Sequence, residues 1–156
     1  MKPLTAKDIM PDLLVTVRGD ATLEDAAHLM LQMDIGSLLV VDDRDHLIGI
    51  LTDTDFGVTG APASEGEPPA PQVLGHRLEG VEVERIYRAA RARRVRDVMS
   101  TPVVTVEEGD RIDTVLARMF QNRIRHVPVV HQGHPVGMIS SRDLLQLLFA
   151  ESARRS

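Results

Sequence analysis

The sequence predicts a mixed α/β (α+β) fold: two β-α-β-β-α repeats packed with pseudo-twofold symmetry, with an inserted loop and helix between them. Three observations carry this. First, the phrase Gly49-Ile50-Leu51-Thr52-Asp53-Thr54-Asp55 returns as Gly137-Met138-Ile139-Ser140-Ser141-Arg142-Asp143. Second, the flanking residues keep register. Asp8-Ile9-Met10 matches Asp97-Val98-Met99, Val15-Thr16-Val17 matches Val104-Thr105-Val106, and Met30, Gln32, Ile35 and Val40-Val41 match Met119, Gln121, Ile124 and Val129-Val130. One residue is lost in the turn before Gly137. Third, each copy alternates short β-branched runs with stretches of helical spacing, as a repeated supersecondary unit does.

Taken in order, Leu13–Val17 is short and β-branched and predicts a strand. Thr22 then stands as an N-cap, and Leu23, Ala26, Ala27, Met30 and Met33 share one face of a helix. Ser37–Val41 is a continuous apolar run, expected as a buried strand. A polar turn over Asp42–His46 leads to a return strand at Leu47–Leu51, and Thr52 opens a second, short helix. The second copy predicts a strand at Val103–Val106 and a helix from Asp110 to about Asn122. Strands at Val127–Val130 and Val136–Ile139 follow, then a last helix from Ser140 to about Ala150. That last helix carries Leu144, Leu145, Leu147, Leu148 and Phe149, so it is expected to pack on more than one neighbour. Between the copies, residues 61–72 are rich in Pro, Gly and Ala and read as a loop. A helix follows from about Glu79, with Val83, Ile86, Tyr87 and Ala90 on one face and an arginine-rich end. The expected division is repeat one at 1–60, the insert at 61–92 and repeat two at 93–152. One three-stranded sheet with two helices buries its apolar surface poorly, and two copies face to face do better.

Composition narrows the function. The chain has 156 residues, 43% of them hydrophobic, with no Trp, one Tyr and three Phe, so its core is aliphatic. The shortage of aromatics argues against stacking on single-stranded nucleic acid, and a net charge of −5 argues against general affinity for phosphate backbones. With no cysteine there is no disulfide, thiol catalysis or thiolate metal site. No apolar run approaches the roughly 18 residues of a membrane span, and the first residues lack the apolar stretch of a signal peptide. A cytoplasmic protein is expected. No nucleophile–base pair, metal constellation or P-loop stands out, so an enzyme is not expected.

The repeated residues, above all Ile35-Gly36-Ser37-Leu38-Leu39-Val40-Val41-Asp42, Ile124-Arg125-His126-Val127-Pro128-Val129-Val130 and the paired Gly-x-x-Thr/Ser-x-x-Asp phrase, resemble a tandem pair of cystathionine-β-synthase-type (CBS) domains, a Bateman module. The resemblance covers about residues 4–56 and 93–150. It implies a regulatory module, usually a homodimer, that binds an adenosine ligand (AMP, ADP, ATP or S-adenosylmethionine) between the repeats and controls a protein partner in trans. No obligatory cofactor is implied. By this resemblance Asp55 and Asp143 take a ribose diol, with Thr52, Thr54, Ser140 and Arg142 at the adjoining helix mouths. The base pocket opposite Asp143 draws on Leu14, Val15, Ile35, Ser37 and Leu38, and that opposite Asp55 on Val103, Val104, Ile124, Val127 and Pro128. Arg125 and His126 stand where the family presents phosphate-binding side chains, whereas repeat one has Gly36 and Ser37 there, so the two sites are unequal.

The residues themselves support the ribose role, since an ionised carboxylate accepts several hydrogen bonds and a helix mouth offers free N–H groups. The same Ser-x-x-Asp spacing also makes a helix cap, and both readings stay open at this point. The arginine-rich segment over 85–96 reads as a solvated face rather than a nucleic-acid grip, and His131-x-x-His134 lacks the acidic or cysteine partner of a metal site. A ligand-free dimerisation or assembly module is the alternative function.

Overall fold

The computed structural model of the protein describes residues 2–56, 72–73, 76–77 and 83–155. In chain order its elements are α1 (Ala6–Ile9), β1 (Thr16–Arg18), α2 (Leu23–Met33), β2 (Ser37–Val41), β3 (Leu47–Thr52), a 3-10 turn (Asp53–Phe56), β4 (Gln72–Val73), β5 (His76–Arg77), α3 (Val83–Ala92), α4 (Val95–Val98), β6 (Val106–Glu107), α5 (Ile112–Asn122), β7 (His126–His131), β8 (His134–Ser140) and α6 (Ser141–Arg155). Most of the proline-rich loop expected at 61–72, and the expected start of the insert helix near Glu79, lie outside the described residues.

The β-α-β-β order is present twice, closed by a 3-10 turn in the first copy and by α6 in the second. Each repeat builds a three-stranded sheet, β1-β2-β3 and β6-β7-β8. The first strand runs parallel to the second in both, which requires the intervening helix as a crossover. β8 returns antiparallel to β7 through a two-residue turn, Gln132-Gly133, with φ of 52° and 81°. Positive φ at both positions is what a tight hairpin matched to strand twist demands.

The first strands are shorter and later than expected. Leu13–Val15 and Val103–Thr105 lie outside any strand, and the ladders begin at Thr16 opposite Leu39 and at Val106 opposite Val129. Ladder partners, not β-propensity, decide these ends. At the level where Leu39 pairs with Thr16, the second repeat has Pro128, which has no N–H to give, and β6 starts one residue later. The helix expected at Thr52 is a single 3-10 turn, and Thr52 itself ends β3. The last helix runs on past Ala150 to Arg155, and it packs on β8 and α1.

The chain forms two compact units. One comprises residues 16–43 and 48–101, the other 1–15, 44–47 and 102–156. In the first, Leu23, Ala26 and Met30 of α2, all of β2, Leu51 and Val95 are buried, whereas Met33 is exposed, contrary to its expected place on the buried face. In the second, Ala6, Val106, Val115, Met119, Val127, Val129, Ile139 and Leu144 form one core cluster. The arms that open each sequence repeat join the sheet of the other. Ala6 and Lys7 of α1 donate their N–H groups to the Asp110 and Glu108 carbonyls at 2.8 and 3.0 Å. Val95 and Arg96 of α4 donate to the Ala21 and Gly19 carbonyls, both at 2.9 Å. The insert helix α3 rests on α2, where Tyr87 Oη donates to Glu24 at 3.0 Å and Arg91 pairs with the same carboxylate at 3.4 Å.

Helices α2 and α5 stop alike. Asp34 and Arg123 adopt the left-handed conformation (φ 52° and 53°), and the N–H of the next residue, Ile35 or Ile124, turns back to the Met30 or Met119 carbonyl at 3.0 Å. An L-residue is disfavoured there and glycine is not. Arg123→Gly should therefore raise the unfolding free energy by about 0.5–1 kcal/mol in urea denaturation, the relief of backbone strain exceeding the added freedom of the unfolded chain.

Candidate functional site

Each helix stop delivers the chain to a clamp built the same way in both repeats. In the second, the Arg125 carbonyl accepts the Ser141 N–H at 2.8 Å, and in the first the Gly36 carbonyl accepts the Asp53 N–H at 3.0 Å. The turn before the central strand is thereby tied to the turn that follows the hairpin. On that second turn Asp143 Oδ2 accepts the N–H and hydroxyl of Ser140 at 2.7 and 2.9 Å. Asp55 Oδ2 accepts the same groups of Thr52 at 2.8 and 3.3 Å.

The two carboxylates differ in what surrounds them. Asp143 N–H returns to Ser140 Oγ at 3.2 Å, completing a reciprocal cap at the head of the 15-residue α6. In repeat one the Thr52 hydroxyl pairs instead with that of Thr54 at 2.8 Å, over a four-residue turn. The capping reading is therefore correct as far as it goes. Thr22 with Asp25 and Thr5 with Asp8 make the same cap elsewhere. At Asp8 the Thr5 backbone N–H, foremost, and then its hydroxyl hold the carboxyl below the usual carboxylate range.

Capping does not use up the carboxylate. Oδ2 carries two donors, which exhausts its lone pairs, while Oδ1 of Asp55 and of Asp143 has no donor among the described residues. A diol would thus be held mainly through Oδ1, on a side chain whose orientation is already set. Asp55, Asp143, Thr52 and Ser140 are half-buried, and Thr54 is exposed. Arg125 and Arg142 are exposed, and neither guanidinium has a partner among the described residues.

The other expected site residues divide by burial. Leu38, Val127 and Pro128 are fully buried and Ser37 nearly so, while Val15, Ile35, Val103, Val104, Ile124 and His126 are half-buried and Leu14 is exposed. His126 lies beside Ser140 in the β7–β8 register, within the same clamp as Arg125 and Asp143. A groove of about 620 Å³ runs along α5 and the start of α6, lined by Leu116, Met119, Phe120, Ile124, Ser141 and Leu144 among others. Ile124 is the expected site residue that lines it, and Asp143 is not among its walls.

The sequence reading missed what the motif glycines do. A Cβ on Gly137 would lie 2.6 Å from Met10 Sδ, and one on Gly49 would collide with Met99 Sδ and lie 2.9 Å from its Cγ. The repeated Asp-x-Met and the repeated glycine are two sides of one contact, and their joint recurrence was the available signal.

A family model described as CBS domain matches residues 6–56 and 95–150. The chain belongs to the CBS-domain family. Its fold agrees with solved CBS structures. It superposes on the CBS domain of a CBS domain-containing membrane protein from Sphaerobacter thermophilus with a TM-score of 0.75 and 36% identity, covering 93% of this chain and 88% of that one. It superposes on the CBS domain pair of protein MJ0100, solved in complex with 5′-methylthioadenosine and S-adenosylmethionine, with a TM-score of 0.69 and 22% identity, covering 96% and 99%. In sequence it is 24% identical over 147 residues to the uncharacterized protein MJ1225 of Methanocaldococcus jannaschii, covering 94% of this chain and 44% of that protein. The chain spans 44% and 64% of the first two curated relatives that it matches. CBS pairs are regulatory ligand-binding modules. No helix among the described residues is long and apolar enough to cross a membrane.

Proposed function

We propose that this CBS pair is a cytoplasmic, non-enzymatic sensor that binds an adenosine compound of the AMP, ADP or ATP class and controls a protein partner in trans. The observation that carries the proposal is the clamp at Asp143: a carboxylate pinned through Oδ2 and open at Oδ1, beside a helix mouth and two exposed guanidiniums. The open oxygen suits a ribose hydroxyl, and Arg125 and Arg142 favour a ligand with phosphate over an uncharged adenosine. The MJ0100 complex supports the adenosine part, because its ligands share that moiety. Repeat one presents Gly36 and Thr54 where repeat two has the two arginines, so the Asp143 clamp is the better anion site. Ligand acts by population shift, favouring whichever arrangement of the module binds it more tightly.

A thermal-shift series with AMP, ADP, ATP, S-adenosylmethionine, 5′-methylthioadenosine and guanosine tests this. Adenosine ligands should raise Tm in the parent chain and in Asp55→Ala, and the rise should vanish in Asp143→Ala. The lost cap lowers the baseline Tm of Asp143→Ala with or without ligand, so only the ligand-induced increment is diagnostic. No increment with any compound in well-folded parent protein would sink the sensor reading.

One observation favours the second reading, an assembly module. Phe120, Leu145, Leu148 and Phe149 of α5 and α6 are 86, 65, 65 and 79% exposed. Side chains of that size on a helix face are what a homodimer would cover. A dimer in sedimentation that is indifferent to nucleotide would support that reading.

A further inference from the structure

The chain has no cysteine, so its seven methionines are its only sulfur. Two of them close the same joint in the two repeats. Met10 ends the Asp-x-Met of the arm that carries α1, and Met99 ends that of the arm that carries α4. Each lays its thioether over a motif glycine, Met10 over Gly137 and Met99 over Gly49, so closely that neither glycine has room for one added carbon. Both methionines are half-buried, whereas Met30 and Met119 are buried in the cores and Met33 is exposed. The two joints are not equally secured. Past Met99, Ser100 exchanges two backbone bonds with Ile50, at 2.9 and 3.2 Å. The matching residue of the other arm is Pro11, which has no N–H to donate. The contact of Met10 on Gly137 therefore carries more of the hold on its arm than Met99 carries on the other.

We propose that Met10 is an oxidative modification site, and that a hydroperoxide acting there releases the α1 arm from the second sheet. The sulfur lone pair attacks one peroxide oxygen, the O–O bond breaks and the S–O bond of the sulfoxide forms. The thioether is oxidised by two electrons, and the peroxide is reduced to water or an alcohol, which takes up the proton of the transferred oxygen. Half burial leaves the Met10 sulfur within reach of so small a reagent, as the core methionines are not. An oxygen added on the glycine side of the sulfur has no space. One added on the other side turns an apolar packing contact into a polar group that seeks water. Met10 packs against the cluster that holds Ala6, so its departure loosens the bonds of Ala6 and Lys7 to the Asp110 and Glu108 carbonyls. Met99 oxidised in the same way leaves its arm tied through Ser100. The change is reversible, because sulfoxide reductases return the thioether. This input needs no nucleotide and does not rest on the sensor reading.

The test treats the full chain with hydrogen peroxide, follows each methionine by peptide mass spectrometry and reads amide hydrogen exchange by NMR. Met33 should oxidise first and leave exchange at Ala6 and Lys7 unchanged. Oxidation of Met10 should then lower the protection of both amides by about tenfold or more, the factor expected for forcing a polar group into an apolar contact. Sulfoxide reductases of both epimer specificities should restore it. Val95 and Arg96, the equivalent amides of the other arm, should lose less when Met99 is oxidised. Met10→Leu keeps an apolar side chain of similar volume without the sulfur, and its Ala6 and Lys7 amides should be indifferent to peroxide. Should that variant misfold, the parent chain decides: the fraction of molecules with unprotected Ala6 and Lys7 must follow the sulfoxide fraction at Met10, not at Met33 or Met138. Met10 staying reduced once Met33 is fully oxidised, unchanged protection with Met10 oxidised, or a loss that persists in folded Met10→Leu would overturn the proposal.

Discussion

Ile139→Ala should lower the unfolding free energy by about 2–5 kcal/mol, the range for truncating a large aliphatic side chain in a closed core. Ile139 is 0% exposed and sits in β8 opposite Val127, inside the cluster that includes Val106, Val115, Met119 and Val129. Its neighbours belong to strands held by their ladders and a helix face already filled, so the space left by the lost carbons closes poorly. The control is Leu148→Ala on α6, which removes as large a side chain but starts from 65% exposure. That variant should stay within about 0.5 kcal/mol of the parent as a monomer. Urea denaturation followed by circular dichroism gives both values, and amide exchange at Val127 and Val129 places the loss in the unit that holds Ile139. If the two truncations cost the same, the core assignment is wrong.

What could be read from sequence depended on whether the deciding interaction was local. The central strand at Ser37–Val41 and the return strand after Asp45 follow from apolar runs and a polar turn, and both are where the pattern put them. The cap at Thr22 was legible for the same reason, since Asp25 lies within the same turn. The ends of β1 and β6 were not legible from Val-Thr-Val, because the partner across the ladder, Leu39 or Pro128, decides where pairing starts. Four-residue helices such as α1 and α4 carry no readable period, and the sheet each joins is set by tertiary hydrogen bonds. At the candidate site the residue types were legible from the repeat. The state of the carboxylate was not. Ser-x-x-Asp is written identically for a cap and for a ligand site, and only coordinates show Oδ2 taken while Oδ1 stays open.

Gly49→Val should cost about 1–3 kcal/mol by overpacking, and Met99→Ala in the same chain should return much of it. The atoms in the way are the Met99 Sδ and Cγ, so removing them opens the space that valine needs. Return should be incomplete. The Ser100 carbonyl, 3.2 Å from the new Cβ, is held by the Ile50 N–H at 3.2 Å, while Ser100 N–H donates back to the Ile50 carbonyl at 2.9 Å. At Gly137 the three nearest obstructing atoms all belong to the Met10 side chain, so Met10→Ala should rescue Gly137→Val more fully than Met99→Ala rescues Gly49→Val. Double-mutant cycles in urea measure both couplings, and additive losses at either pair would refute the contact. The comparison also separates two explanations for the motif. If the glycine serves the ligand, rescued stability leaves the ligand-induced Tm increment lost. If it serves the methionine arm, Gly137→Val with Met10→Ala recovers stability and increment together, because Ile139 and Ser140 then carry Asp143 as before. The geometry supports the second: Met10 packs against the core cluster and against Gly137, while the carboxylate clamp begins three residues further on.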